Sequence, residues 1–423
     1  MTLEFLRRSV ALIAVLALAP VANGYSVLTH EQIVDLAWKG NIAPLLMKRF
    51  PQTTPEELKR AHAFAYGGSV IQDLGYYPFG SKQFSDLVHY VRSGDFVENL
   101  LNDAKDVNEY AFALGALSHY SSDLSGHPAV NRAVAIEFPK LRAKYGDVVT
   151  YEDNPKAHLS TEFGFDVTQV AKNRYTADAY HDFIGFEVAK PLLERAFQKT
   201  YGMELGDVFK SVDLAIGSYR RSVSSVIPEM TKVALATRKA DLVRETPNFE
   251  KREFLYHLSG ADYEKEWGKS YEHPGIGARI LAFLFRMVPK IGPLRGLDYK
   301  VPSRKTEDLY VASVNDTIEK YDDLLRKLRA GEKIELPNMD FDTGKETFAG
   351  EYRLTDEAYS KLIRKLDERK FDLLTSELRD DVLQFYADPK AQIATKKDAE
   401  QWQKTLDSLR ALKATTAVAI RGQ

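Results

Sequence analysis

The sequence predicts an all-α protein, a multi-helical domain followed by a helical C-terminal extension, and three observations predict it. From Thr29 to about Arg244 the apolar residues recur at three- and four-residue spacing, as in Val107–Leu117 and Phe183–Phe197, and alternating runs are few. Proline and glycine at Pro51, Gly67–Gly68, Pro78, Gly126–Pro128, Pro139 and Pro155 divide this stretch into helices of ordinary length joined by loops. Beyond Thr306 the chain is charged and amphipathic, which predicts helices near 306–330, 355–369, 371–387 and 396–418, with an irregular piece around Pro337–Gly350.

The regular pattern lapses around Glu245–Asn248. A mixed stretch with Trp267, Pro274 and Gly277 then leads into the apolar run Ile280–Val288 and a loop region over Pro289–Pro302. The expected organisation is therefore residues 1–24 as a signal peptide, 25–244 as a catalytic domain and 245–423 as the extension. Arg7 and Arg8 supply the positive flank of the signal, and Ser9–Ala22 is an apolar stretch too short to span a bilayer comfortably. Ala22 and Gly24 fit the small-residue positions of a cleavage site, making Tyr25 the first residue of an exported, secreted or periplasmic protein. The paired arginines also permit the twin-arginine route, although Sec export is the simpler expectation.

With 423 residues and 44% hydrophobic content the chain can bury a substantial core. Lys and Arg total 58 against 60 Asp and Glu, so the net charge of -2 gives no global electrostatic reason to expect nucleic-acid binding. The absence of cysteine excludes disulfides, thiolate metal ligands and a cysteine nucleophile, so any metal must sit on nitrogen and oxygen.

The histidines are unevenly spread: His30, His62, His89, His119, His127 and His158 all precede Glu162. In "LSHYSSDLSGHP" His119, Asp123 and His127 follow one another at four-residue spacing, which aligns them on one helix face in the manner of metal ligands. "HLSTE" places His158 and Glu162 at i and i+4, a second pair able to close on one ion. Asp73 in "GGSVIQDLGYYP", His89 in "SDLVHYV" and His30 in "YSVLTHEQIV" add a carboxylate and two imidazoles. A lone helical His or Asp is ordinarily capped or solvated, but the ordered joint pattern in a cysteine-free chain favours a metal centre.

The segments "THEQIV", "GSVIQDLGYYP", "HYV", "ALSHYSSDLSGHP" and "HLSTE", spread over Tyr25–Val233, resemble in wording and order the zinc-dependent phospholipases C and D, which are structurally similar to the S1/P1 nucleases. The resemblance implies a multi-helical phospholipase C/P1 nuclease-like domain with three zinc ions that hydrolyses a phosphate ester by activated water. Carried over by motif, it implies that Asp73, His89, His119 and Asp123 hold one zinc, and that His127, His158 and Glu162 hold a second. The third would use Asp123 again, His30, and the amino group and carbonyl of Tyr25, so that signal cleavage builds part of the site. A zinc ion acidifies water to a pKa of about 7, and Asp73 is the carboxylate placed to take the proton during attack on phosphorus. The sequence departs from better-known members in having Tyr25 where Trp is usual, a shorter gap from Asp123 to His127 and a longer one from His127 to His158. The expected substrate is a phospholipid or related phosphate ester, with peripheral membrane contact; the alternatives are an S1/P1-like nuclease or 3′-nucleotidase, and a metal-stabilised helical binding protein.

Two other features have competing readings. Ile276–Leu297 carries Arg279, Arg286, Lys290 and Arg295 in an apolar run, either a helix lying at a lipid surface or, as the favoured reading, a buried helix with snorkelling arginines. Tyr76, Tyr77, Phe79 and Phe84 near Asp73 read equally as pocket wall or as core. His62, His181, His257 and His273 match no motif and are expected to be structural or exposed.

Overall fold

A computed structural model of the chain describes residues 27–171, 185–227, 231 and 299–415, and among these it is built from α-helices with one small hairpin. The first part contains α1 (Val27–Ala37), a π-helical turn over Trp38–Ile42, α2 (Ala43–Arg49), α3 (Pro55–Ser69), a 3₁₀ turn over Ile71–Tyr76, α4 (Lys82–Tyr90) and α5 (Ser93–Asp103). There follow α6 (Val107–Glu137), α7 (Pro139–Tyr145), α8 (Pro155–Ala171), α9 (Lys190–Tyr201), α10 (Leu205–Val208) and α11 (Val212–Arg221). The last part holds α12 (Arg304–Ala330), the hairpin β1 (Met339–Asp340) and β2 (Lys345–Glu346), α13 (Arg353–Glu368), α14 (Ser376–Phe385) and α15 (Ala399–Ala414). The four helices expected beyond Thr306 are all present, with ends shifted by a few residues.

The starts of the helices follow local chemistry. Pro55 opens α3 behind a reciprocal cap, in which the Glu57 amide donates to the Thr54 hydroxyl (3.2 Å) and the Thr54 amide to the Glu57 carboxylate (2.8 Å). The Asp106 carboxylate accepts from the amides of Asn108 and Glu109, each at 2.9 Å, and starts α6. Gly331, at a φ of 81°, closes α12 in the left-handed conformation that glycine takes without strain.

The 31-residue α6 is the axis of the molecule, buried on nearly all sides, with small residues where α3 crosses it. A Cβ on Gly68 would meet the Phe112 carbonyl oxygen at 2.0 Å, and one on Gly115 would meet that of Ala65 at 2.0 Å, so both helices need glycine to approach this closely. Gly126 and Pro128, which the sequence suggests as a break between helices, lie inside α6 instead. Pro128 deprives the Leu124 carbonyl of its helical donor; the helix nevertheless continues because its residues on both sides of the proline are buried.

The helix α12 lays Tyr310, Val314, Ile318, Tyr321 and Leu325 against α6, and the Tyr321 hydroxyl donates to the Leu114 carbonyl at 2.8 Å. One apolar core, formed among the described residues, therefore runs from Val27 of α1 to Leu412 of α15, drawing on both parts of the chain. The piece around Pro337–Gly350 is the hairpin, in which Met339 pairs with Glu346 and Asp340 with Lys345. It crosses the start of α5, whose Gly94 and Asp95 amides both donate to the Asn338 side chain at 3.1 Å. No helix among the described residues is long and apolar enough to cross a membrane. The signal segment, Tyr25, the change near residue 245, Ile276–Leu297, His181, His257 and His273 lie outside the described residues.

Candidate metal centre

Five elements bring the predicted side chains together. Asp166 on α8 ties down the start of α1, accepting from the Leu28 amide (3.1 Å) and the Thr29 hydroxyl (2.6 Å), and this fixes His30 beside the helix that carries His158 and Glu162. Asp73 sits in the 3₁₀ turn, which is locked to α4 because the Ser85 hydroxyl donates to the Gln72 carbonyl (2.6 Å) and accepts from the Gly75 amide (2.9 Å). His89 projects from α4, and His119, Asp123 and His127 from consecutive turns of α6. His30, Asp73, His89, His119, Asp123, His127 and His158 are fully buried, and Glu162 is 2% exposed.

Asp123 is the hub. Its Oδ2 lies 3.0 Å from His119 Nε2, 3.4 Å from His127 Nε2 and 3.6 Å from His89 Nε2, while its Oδ1 lies 3.6 Å from His30 Nε2. Asp73 Oδ1 is 3.4 Å from His89 Nε2. Around the other side of His127, its Nδ1 stands 3.2 Å from His158 Nε2, which is 2.6 Å from a Glu162 oxygen. Three sets able to share a cation result: His30, His119 and Asp123; Asp73, His89 and His119; and His127, His158 and Glu162. All eight described residues of the expected ligand set are thus within these groups, with His119 common to two.

The donor chemistry fits a metal. His89 Nδ1 is 2.8 Å from the Ser85 carbonyl and His119 Nδ1 is 2.9 Å from that of Ser69; a carbonyl only accepts, so each ring carries its hydrogen on Nδ1 and turns a bare Nε2 inward. Among the described residues these nitrogens, and both oxygens of Asp73 and of Asp123, have no hydrogen-bond partner. Lone pairs facing lone pairs in a buried interior call for a positive charge between them. Their separations match those of neighbouring ligands around one tetrahedral zinc, about 3.3 Å for bonds of 2.0–2.1 Å. Nitrogen and carboxylate oxygen are ligands that zinc accepts.

The electrostatics point the same way. Burial alone would push the Asp123 carboxyl up, but the imidazoles of His119 and His127 outweigh it and hold the group well below the usual carboxylate range. Against the same burial, Asp123 pushes His127 up to about 9. Burial followed by His119 pushes His30 down, burial followed by His127 pushes His158 down, and burial pushes Asp73 up. A cation bound here displaces the protons that Asp123 otherwise draws onto its neighbours.

The surrounding aromatic residues divide. Tyr76 lies edge-on to His89, with ring centroids 5.9 Å apart, whereas Phe84 is core between Phe197 and Phe209, and Phe79 is exposed at a φ of 64°. His62 is structural: it is buried, bonds Asp35 at 3.0 Å and stacks on Trp38 at 3.7 Å. Asp342, in the turn of the hairpin, stands 3.6 Å from His127 and was not singled out by the sequence, because Asp-Thr-Gly between two charged segments reads as an ordinary turn.

A buried cluster of imidazoles and carboxylates on an all-helical scaffold is a candidate metal centre. Residues 29–211 of the chain match the family model described as zinc dependent phospholipase C. The chain is accordingly a zinc-dependent phosphoric ester hydrolase. No curated protein and no solved structure matches the chain.

Proposed function

We propose that the chain is an exported phosphodiesterase that cleaves a phospholipid or a related phosphate ester at a trizinc centre. In this reading Asp73, His89, His119 and Asp123 hold one ion and His127, His158 and Glu162 a second. His30, Asp123 and the amino group and carbonyl of Tyr25, exposed by removal of residues 1–24, hold a third. The observation that carries it is the inward convergence of imidazole nitrogens and carboxylate oxygens from α1, the 3₁₀ turn, α4, α6 and α8. Zinc bound there would supply Lewis acidity toward the phosphoryl group and lower the pKa of water to near neutrality.

The chain's own groups do the rest. Ser85 and Ser69 carbonyls orient the rings of His89 and His119, and the closed surroundings exclude bulk water. Asp73, a carboxylate beside the ions, takes the proton of the attacking water. The test is hydrolysis of phosphatidylcholine, single-stranded nucleic acid and a generic phosphodiester by the purified mature protein, before and after chelation. Phosphatidylcholine should be cleaved, with activity lost on chelation and restored by zinc, and Asp73→Asn should lower kcat by about 10²–10⁴-fold. Activity on nucleic acid alone overturns the phospholipid assignment, and a mature protein without zinc overturns the centre.

A further inference from the structure

The hairpin lies outside the family-matched residues 29–211, yet its turn is seated on the two helices that carry four of the candidate ligands. The Phe341 amide donates to the His89 carbonyl at 3.2 Å, and the Phe341 ring stands 5.3 Å from that of His89. The Asn131 side chain donates to the Asp342 carbonyl at 2.7 Å, one turn beyond His127 on α6. Gly344 adopts a φ of 69°, and a Cβ there would come within 2.7 Å of the Pro128 ring, so the turn presses on the residue next to His127.

The Asp342 carboxylate is held as if aimed. Its Oδ2 accepts from the hydroxyls of Tyr90 on α4 (2.9 Å) and of Tyr352 just before α13 (2.6 Å). Two donors from separate elements fix one oxygen and thereby direct the other. Among the described residues that other oxygen, Oδ1, is buried without a hydrogen-bond partner, and it lies 3.6 Å from His127 Nδ1. A buried carboxylate placed against a ligand imidazole fixes the rotation of the ring and strengthens it as a donor.

We propose that Asp342 is a positioning residue of the metal centre, by which the C-terminal part of the chain holds His127 in the orientation that lets it share a cation with His158 and Glu162. The proposal rests on the metal reading above. Its test is the zinc content and affinity of the full-length mature protein, measured by elemental analysis after dialysis against a graded competing chelator, with folding followed by circular dichroism. Asp342→Asn should keep the helical spectrum but bind one equivalent about 10–100-fold more weakly, the same equivalent that His127→Ala loses. Asp342→Glu, which retains the charge, should recover part of the loss. Wild-type stoichiometry and affinity in a folded Asp342→Asn protein overturn the assignment. Should that variant fail to fold, Tyr90→Phe combined with Tyr352→Phe leaves the charge but releases the carboxylate; it must weaken the same equivalent, and unchanged affinity there overturns the assignment. A wild-type protein that binds no zinc defeats the metal reading itself, a result distinguishable from either of these.

Discussion

Two aspartates, Asp123 fully buried and Asp381 partly so, show how loss of solvent has opposite outcomes according to what faces the carboxylate. Asp123 looks into imidazoles and stays ionised far into acid, whereas Asp381 on α14 looks mainly at the Tyr359 hydroxyl (3.1 Å), and burial, only partly offset by Arg92, pushes it up to about 6. In the unfolded chain Asp381 ionises near 3.8, so the stability associated with its proton is complete below that pH and is lost as pH rises through 6. Above neutrality the folded protein carries a charge that it would hold more cheaply in water. Asp381→Asn keeps an acceptor for Tyr359 and removes that charge, so its advantage over the wild type in urea unfolding should grow by about 1 kcal/mol between pH 5 and pH 8, after allowance for partial exposure. A gap that does not change with pH would show that burial of the charge is not what sets this group.

Between helices, the decisive contact is the crossing of α3 and α6 at Gly68 and Gly115. Gly115→Ala places a methyl group 2.0 Å from a backbone oxygen of Ala65 and 2.8 Å from the Ser69 amide nitrogen, neither of which can swing aside. The helices must separate, at a cost of about 2–3 kcal/mol by the usual scale of overpacking. Separation also draws the Ser69 carbonyl away from His119 Nδ1, so the variant should lose zinc affinity as well as stability. Stability equal to that of the wild type in chemical denaturation would mean that the crossing has room for a methyl group. The i, i+4 spacing of His119, Asp123 and His127 made their shared face legible in the sequence, because helical geometry is local. Pro128 misled for a related reason: a proline is a local signal, and burial of the helix on both sides of it decides otherwise.

At the scale of the whole molecule, the sequence carried the helical class, the C-terminal helices and the eight side chains that meet in the centre, since periodicity and ordered motifs express each of them. It did not carry Asp342. That contact joins residues far apart in the chain, and it depends on the hairpin being seated over the helix that carries His127. The enclosure of the centre then has a kinetic side. An ion surrounded by side chains no more than 2% exposed can leave only when the protein breathes. Loss of zinc to excess chelator should therefore proceed at a rate that levels off as chelator concentration increases, and addition of about 1 M urea, which favours opening, should speed it. A rate that climbs in proportion to chelator without limit would mean that the reagent reaches the ion directly. If the plateau is found, the metal acts as a resident cargo taken aboard while the chain is still closing, and its supply during folding, more than its affinity afterwards, sets how much of the protein is active.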